Sequence, residues 1–165
     1  MDIRRQTILK HLDYHAWATG KTLDAVAPLT HENLHRDMKN SFRSIWDTLV
    51  HIYQADSIWY SRHQGNATGT LAMFPADPTL DGLRVQWADV QARLRKYAEE
   101  LPDADFERVI NYRLLSGAEW ASPVYENLLH VVNHGTYHRG QIVTMLRQQD
   151  AKGVTTDFIA YLRQL

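Results

Sequence analysis

Apolar residues recur at helical spacing through four long stretches of this chain, and no other feature limits its fold so tightly. The first stretch runs from about Asp2 to Ala27, carries Ile3, Ile8, Leu12, Trp17, Leu23 and Val26, and is ended by Pro28. The second runs from about Ser41, a suitable N-cap, to His63, and includes Phe42, Ile45, Trp46, Leu49 and Tyr53. Gly65, Asn66 and Gly69 then break the pattern, and a loop containing Pro75 and Pro78 follows. The third starts near Thr79 and continues through Leu83, Trp87, Val90, Leu94 and Tyr97 to Leu101, where Pro102 stops it. The pair Ser122-Pro123 offers an N-cap and a proline at the first helical position for the fourth, which extends to about Gln148.

Two shorter elements complete the pattern. Val109–Leu115 and Glu119–Trp120 flank the turn-forming pair Ser116-Gly117 and predict a short hairpin before the last long helix. A terminal helix is expected from about Thr156 to Gln164. Together these features predict an all-α four-helix bundle, a single domain over residues 1–165. The link between the second and third helices, about 15 residues, has room for a crossover and favours a bundle with a parallel pair of neighbours.

Composition narrows the functional classes. A formal net charge of -1 and scattered arginines give no electrostatic reason to expect nucleic acid or an anionic membrane as partner. No apolar run approaches the roughly 20 residues needed to span a bilayer. The opening MDIRRQTILKHLDYH carries charges throughout and lacks the apolar segment of a signal peptide, so a cytoplasmic location is expected. The chain has no cysteine, which excludes disulfides, thiolate metal ligands and a cysteine nucleophile. It has 9 histidines, the commonest metal-ligating side chain, so their placement matters.

Three groups have the spacing His-x-x-x-His: His11/His15, His31/His35 and the run His130/His134/His138. On a helix, positions i and i+4 share a face about 6 Å apart, close enough for two imidazoles to hold one ion. His31/His35 lies in the polar stretch LTHENLHRDM and reads as surface. His11/His15 sits in the first helix with nothing nearby in the sequence to complete a site. In the fourth helix, at about 100° per residue, His138 lies about 75° from the mean apolar direction, His134 about 115° and His130 about 155°. His130 therefore points mostly to water. All three together span about 12 Å of helix rise, too far for one ion, so the inner pair is His134 and His138. His51 is the one histidine well inside the second helix, yet it points almost opposite to that helix's apolar direction. Either it is a surface residue, or the second helix buries two faces, one in the bundle and one against a second subunit.

The strings SFRSIWDTLVHIYQADSIWYSR (Ser41–Arg62) and LLHVVNHGTYHRGQIVTMLRQ (Leu128–Gln148) resemble the two signature segments of the DinB family. YHAWATGKTLDAV, from Tyr14, is similar to the family's first-helix segment, and DFIAYLRQL, from Asp157, to its tail. The resemblance covers essentially the whole chain. It implies an up-down-down-up bundle, commonly a homodimer, with a divalent metal held by three histidines. Carried over residue by residue, these are His51 from the Leu-Val-His-Ile segment, with His134 and His138 from Asn-His-Gly-Thr-Tyr-His. The chain departs from the family at His15, where asparagine is usual.

Three neutral imidazoles leave a fourth position for water or substrate, as in catalytic rather than structural sites. Such a donor set suits Zn, Ni, Fe, Mn or Co. No Glu follows the His pair as in the His-Glu-x-x-His metalloproteases, so no general base of that type is present. The wider superfamily includes thiol-dependent transferases, which implies a metal-dependent enzyme of thiol S-transferase type acting on a small electrophile. The alternatives are a non-catalytic, stress-linked metal-binding bundle and a metal-dependent hydrolase. Tyr137, Arg139 and Gln141 flank the ligands and are candidates for substrate contact or ligand support as much as for packing.

Overall fold

Each long helix of the computed structural model starts or stops where a local signal dictates. Residues 3–67, 75–114 and 116–164 are described, so the expected contributions of Asp2, Gly69 and Leu115 lie outside them. Helix α1 spans Ile3–Val26 and the short α2 spans His31–His35, where Thr30 caps by accepting a bond from Asn33 N at 3.2 Å. Helix α3 spans Ile45–His63. Its N-cap is Ser44, not the expected Ser41, because Arg43 is left-handed (φ 61°) and a helix cannot run through it. Ser44 Oγ accepts from Asp47 N at 3.0 Å and donates to the Asp47 carboxylate at 2.7 Å.

Helix α4, Leu80–Glu100, begins after Thr79, which accepts from Gly82 N at 3.0 Å. A 3₁₀ turn at Asp103–Glu107 leads into the hairpin of β1 (Val109–Arg113) and β2 (Glu119–Pro123), paired antiparallel from Val109↔Pro123 to Arg113↔Glu119. The second strand is longer than expected, and Pro123 ends it as the N-cap of α5, Val124–Gln148, rather than as the first helical residue. The first helical N–H, that of Val124, instead donates to the carbonyl of Arg108, the residue just before β1, at 3.0 Å. Helix α6, Phe158–Leu162, folds its aromatic rings onto Tyr14 and is shorter than expected.

Pairs of contacts set the directions. Asp24–Arg84 and Asp13–Arg95 run α1 and α4 antiparallel. Tyr53–Trp87 and His63–Tyr97 run α3 and α4 parallel. His51–His134 and Trp59–His130 run α3 and α5 antiparallel, and Tyr14–Thr136 with Arg4–Tyr125 make α1 and α5 parallel. The result is an up-down-down-up bundle, with the parallel α3–α4 pair that the long link anticipates. No described helix is long and apolar enough to cross a membrane.

The core is divided. One apolar cluster joins Ile8, Leu12, Trp59, Leu94, Phe106, Val124 and Leu128; the other joins Leu23, Val26, Ile45, Leu49, Leu83, Ile142 and Leu146. Between them lies a buried polar layer containing one residue from each long helix. Asp56 of α3 accepts from Trp87 Nε1 of α4 at 2.7 Å and from His15 Nε2 of α1 at 2.8 Å, both through Oδ2. Arg139 of α5 closes the chain, its Nη1 lying 3.1 Å from His15 Nδ1. A guanidinium can only donate, so His15 Nδ1 accepts and its proton sits on Nε2, aimed at the carboxylate. All four side chains are at most 1% exposed.

Helix α5 meets α1 closely at Gly135. A Cβ there would lie 2.4 Å from His15 Cε1 and 2.8 Å from Arg139 Nη1, both locked in the polar layer. Gly135→Ala is therefore expected to destabilise by about 1–3 kcal/mol through overpacking, despite alanine's better helix propensity. Gly140, five residues on, has nothing within 4 Å of its notional Cβ, so Gly140→Ala should stabilise by up to about 1 kcal/mol. Urea denaturation of the two variants checks both signs.

Candidate metal centre

Helices α3 and α5 bring His51, His134 and His138 together. One ring nitrogen from each lies within 4.8 Å of the others, and His51 Nε2 is 3.0 Å from His134 Nε2. Nitrogens bound at about 2.0–2.1 Å to one tetrahedral ion stand about 3.4 Å apart, so the spacing needs only a small adjustment to hold one. Among the described residues, no other group of three or more His, Asp or Glu has this arrangement.

The order of burial along α5 follows the helical wheel: His138 is buried, His134 half-buried and His130 exposed. His130 stays out of the cluster, its ring centroid 5.6 Å from that of His134 and 5.4 Å from that of Trp59. His51 is half-buried and faces α5 of its own chain, which corrects the choice between a surface position and a subunit contact. Helix α3 does bury two faces, but both inside one bundle: Leu49, Ile52 and Tyr53 go to the core, while His51 goes to α5.

Phe42 covers the cluster. Its ring stacks on His51 with centroids 3.7 Å apart and planes at 17°, and stands edge-on to His138 at 5.3 Å. The sequence pattern grouped Phe42 with the helical apolar residues. It sits instead in the tight turn before α3, where Lys39 and Arg43 are both left-handed and Met38 N donates to Arg43 O at 2.6 Å. No periodicity distinguishes an apolar residue that caps a site from one that fills a core.

The surroundings prepare the imidazoles for a cation. Gln141 Oε1 lies 2.7 Å from His138 Nδ1, and because an amide oxygen only accepts, the proton is on Nδ1 and the Nε2 lone pair is free. Burial, then the charge of His138, lowers the pKa of His51 to about 4. Burial, then His138, His51 and His130, lowers that of His134 to about 3, with Asp56 opposing. Burial also lowers His138, against the bond to Gln141. All three are therefore neutral at neutral pH, the state in which imidazole ligates.

The flanking candidates separate. Gln141 holds the His138 ring directly. Tyr137 is 64% exposed and lies edge-on to His138 at 4.9 Å, at the mouth of the site. Arg139 turns the other way, into the polar layer, where it also donates to Thr136 Oγ1 at 3.0 Å. His15 is buried against Asp56 and is not among the converging three. His11 stacks on Phe158, and His31 and His35 stack on each other at the surface. Asp56 and Trp87 carried no sequence signal, since a lone carboxylate in a helix reads as solvated and a Trp at core spacing as packing.

Comparison with known proteins agrees with this architecture. The model of the DinB family matches residues 5–164. The chain is 30% identical over 158 residues to Protein DinB of Bacillus subtilis, covering 93% of this chain and 92% of that protein. Its fold is similar to that of a DinB-like protein from Bacillus cereus, with a TM-score of 0.63 and 20% identity over 89% of this chain and 93% of the other. The protein belongs to the DinB family.

Proposed function

We propose that His51, His134 and His138 hold one divalent metal ion with an open coordination position, and that the site serves thiol transfer to a small electrophile. The observation that carries this reading is the convergence of three neutral imidazoles with no fourth protein ligand beside them among the described residues. A bound divalent ion supplies Lewis acidity, which lowers the pKa of a coordinated thiol or water and polarises an electrophile.

The chain's own groups supply position and exclusion. Gln141 fixes the His138 tautomer, and Phe42 shields one side of the imidazole cluster from water. Tyr137, exposed beside His138, is placed to contact an incoming substrate. On this reading the nucleophile is the thiol of a second substrate, since the chain has no cysteine to supply one. In the transfer, the thiol proton leaves to solvent, a new sulfur–carbon bond forms, and the electrophile's leaving group departs with the bonding electrons.

Elemental analysis is expected to find one zinc, nickel, iron, manganese or cobalt ion per chain after reconstitution, and none in His138→Ala. Stoichiometric metal in that variant would show that the ligands lie elsewhere. The loaded protein is expected to consume a small thiol together with an alkylating electrophile. Turnover of activated esters alone would favour a hydrolase, and no turnover of either would favour a metal-binding bundle without catalysis.

The pH dependence follows from the lowered histidines. A group whose pKa is lower in the folded state than the unfolded value of about 6.5 costs no stability above that value. Below it, the unfolded chain takes up protons that the folded chain refuses. The metal-free protein should therefore lose stability as pH falls from about 6.5 towards the values near 4 and 3 of His51 and His134. His63, buried against Tyr97 and lowered to about 4 by burial and then Arg108, adds to the same trend. The gain in Tm on adding zinc should vanish over the imidazole range, measured by differential scanning calorimetry at a series of pH values.

A further inference from the structure

Gln141 has contacts on two sides. Its Oε1 accepts from His138 Nδ1 at 2.7 Å, and the same side chain lines a cavity of about 260 Å³ between α5 and the turn before α3. Lys39 and Asn40 of that turn line it as well, with Thr144, Gln148 and the buried Met145 from α5. The turn is held in one shape. Lys39 and Arg43 are both left-handed (φ 56° and 61°), a conformation that costs a non-glycine residue energy and clusters at active sites and ligand clamps. Arg43 N donates to Asn40 O at 3.0 Å, and Ser41 N to Asn40 Oδ1 at 2.8 Å. One rigid turn thus carries Phe42 onto His51 and brings Lys39 and Asn40 to the cavity.

The lining has a surplus of hydrogen-bond donors. Asn40 uses its Oδ1 on Ser41 N and Gln141 its Oε1 on His138, so each amide NH₂ is left without a protein partner. The Gln148 amide has none either. Thr144 directs its hydroxyl proton to Gly140 O at 3.1 Å. Lys39 Nζ lies 3.3 Å from Asp37, but that carboxylate is shared with Arg43 Nε at 3.5 Å and does not line the cavity. No Asp or Glu is among the described lining residues. Amide and ammonium donors gathered without a carboxylate of the protein's own suit an anion.

We propose that this cavity is a carboxylate subsite beside the imidazole cluster, in which Lys39, Asn40, Gln141 and Gln148 bind the carboxylate of a substrate whose reactive end lies at His51, His134 and His138. Pockets that enclose a whole ligand measure roughly 300–1,000 Å³, so this one takes one end of a substrate. Gln141 is the link: it donates to the carboxylate through its NH₂ and accepts from His138 through Oε1, so substrate and histidine fix the same amide. The carboxylate belongs to the thiol or to the electrophile. Its connection to the imidazoles rests on the thiol-transfer reading above, whereas anion binding in the cavity does not.

Two experiments test the two halves. Titrating the metal-free protein with succinate is expected to shift the side-chain amide NMR signals of Asn40, Gln141 and Gln148 along one saturating curve. Asn40→Asp keeps an acceptor for Ser41 N but puts a carboxylate oxygen in place of the free amide, and should weaken succinate binding about 10-fold or more. Lys39→Met should weaken it about 3-fold, with the loss largest at low salt. Shifts that do not saturate, or an unchanged curve in Asn40→Asp, overturn the subsite. The link to the imidazoles is read in cobalt-loaded protein, whose absorption reports sulfur entering the coordination shell. Mercaptoalkanoates of increasing chain length are compared with matched mercaptoalcohols. A carboxylate on the thiol predicts a length at which the acid binds about 10-fold tighter than the alcohol, a preference lost in Asn40→Asp. A carboxylate on the electrophile predicts that preference in turnover of bromoalkanoates over bromoalcohols instead. Preference in neither series, with succinate still bound, overturns the link. Wild type that binds no cobalt overturns the metal reading and the link together, and the succinate titration still decides the anion site.

Discussion

The polar chain Arg139–His15–Asp56–Trp87 is the constraint around which the bundle is arranged. A guanidinium and a carboxylate are buried at mid-height, and each would be costly there without its partners. The neutral imidazole of His15 passes between them, accepting from one and donating to the other. Since the members come from α1, α3, α4 and α5, the chain can be completed in only one relative height of the four helices. Apolar packing above and below it tolerates small sliding much better than this set of directed bonds does. Replacing one member would leave another buried and unsatisfied, which typically costs about 3–5 kcal/mol for a charge.

That same layer sets the imidazole cluster. His134 and His138 each adjoin a point where α5 is anchored: Gly135 meets His15, and Arg139 enters the core. Fixing α5 against α1 there fixes the height of both histidines. Asp56 fixes α3, and His51, about one and a half turns earlier on that helix, is carried to meet them. The three imidazoles crowd together because they are neutral: burial holds them so, and each protonation would be opposed by the next ring. An ion bound there would replace the hydrogen bond that now joins His51 Nε2 and His134 Nε2.

Helix boundaries and the hairpin were legible because their signals are local. Pro28, Pro102 and Thr79 act on the backbone within a residue or two of where they stand, and the apolar stripes of α1 and α4 mark the inward faces. The misplacements had equally local causes that a side-chain pattern does not carry. A left-handed Arg43 delays α3 to Ser44, and the bond from Val124 N to Arg108 O, just beyond the Val109↔Pro123 pair, holds Pro123 in β2. Along α5 the periodicity ranked His138, His134 and His130 by burial, because the buried residues of this helix form one stripe at helical spacing. It misled for His51, because α3 is packed on two sides and a single mean direction has little meaning there.

The sequence by itself therefore determined the elements, the inward faces of helices that pack on one side, and the inner histidine pair of α5; family resemblance supplied the bundle topology and His51. Only the tertiary structure decided what meets across helices. It placed Phe42 over the imidazoles, gave Gln141 to His138, turned Arg139 away from the site, and linked His15 to Asp56 and Trp87. The reason is physical. Periodicity and capping act within a few residues along the backbone, whereas the partner of a buried polar group is set by which distant segment the fold brings within hydrogen-bond reach.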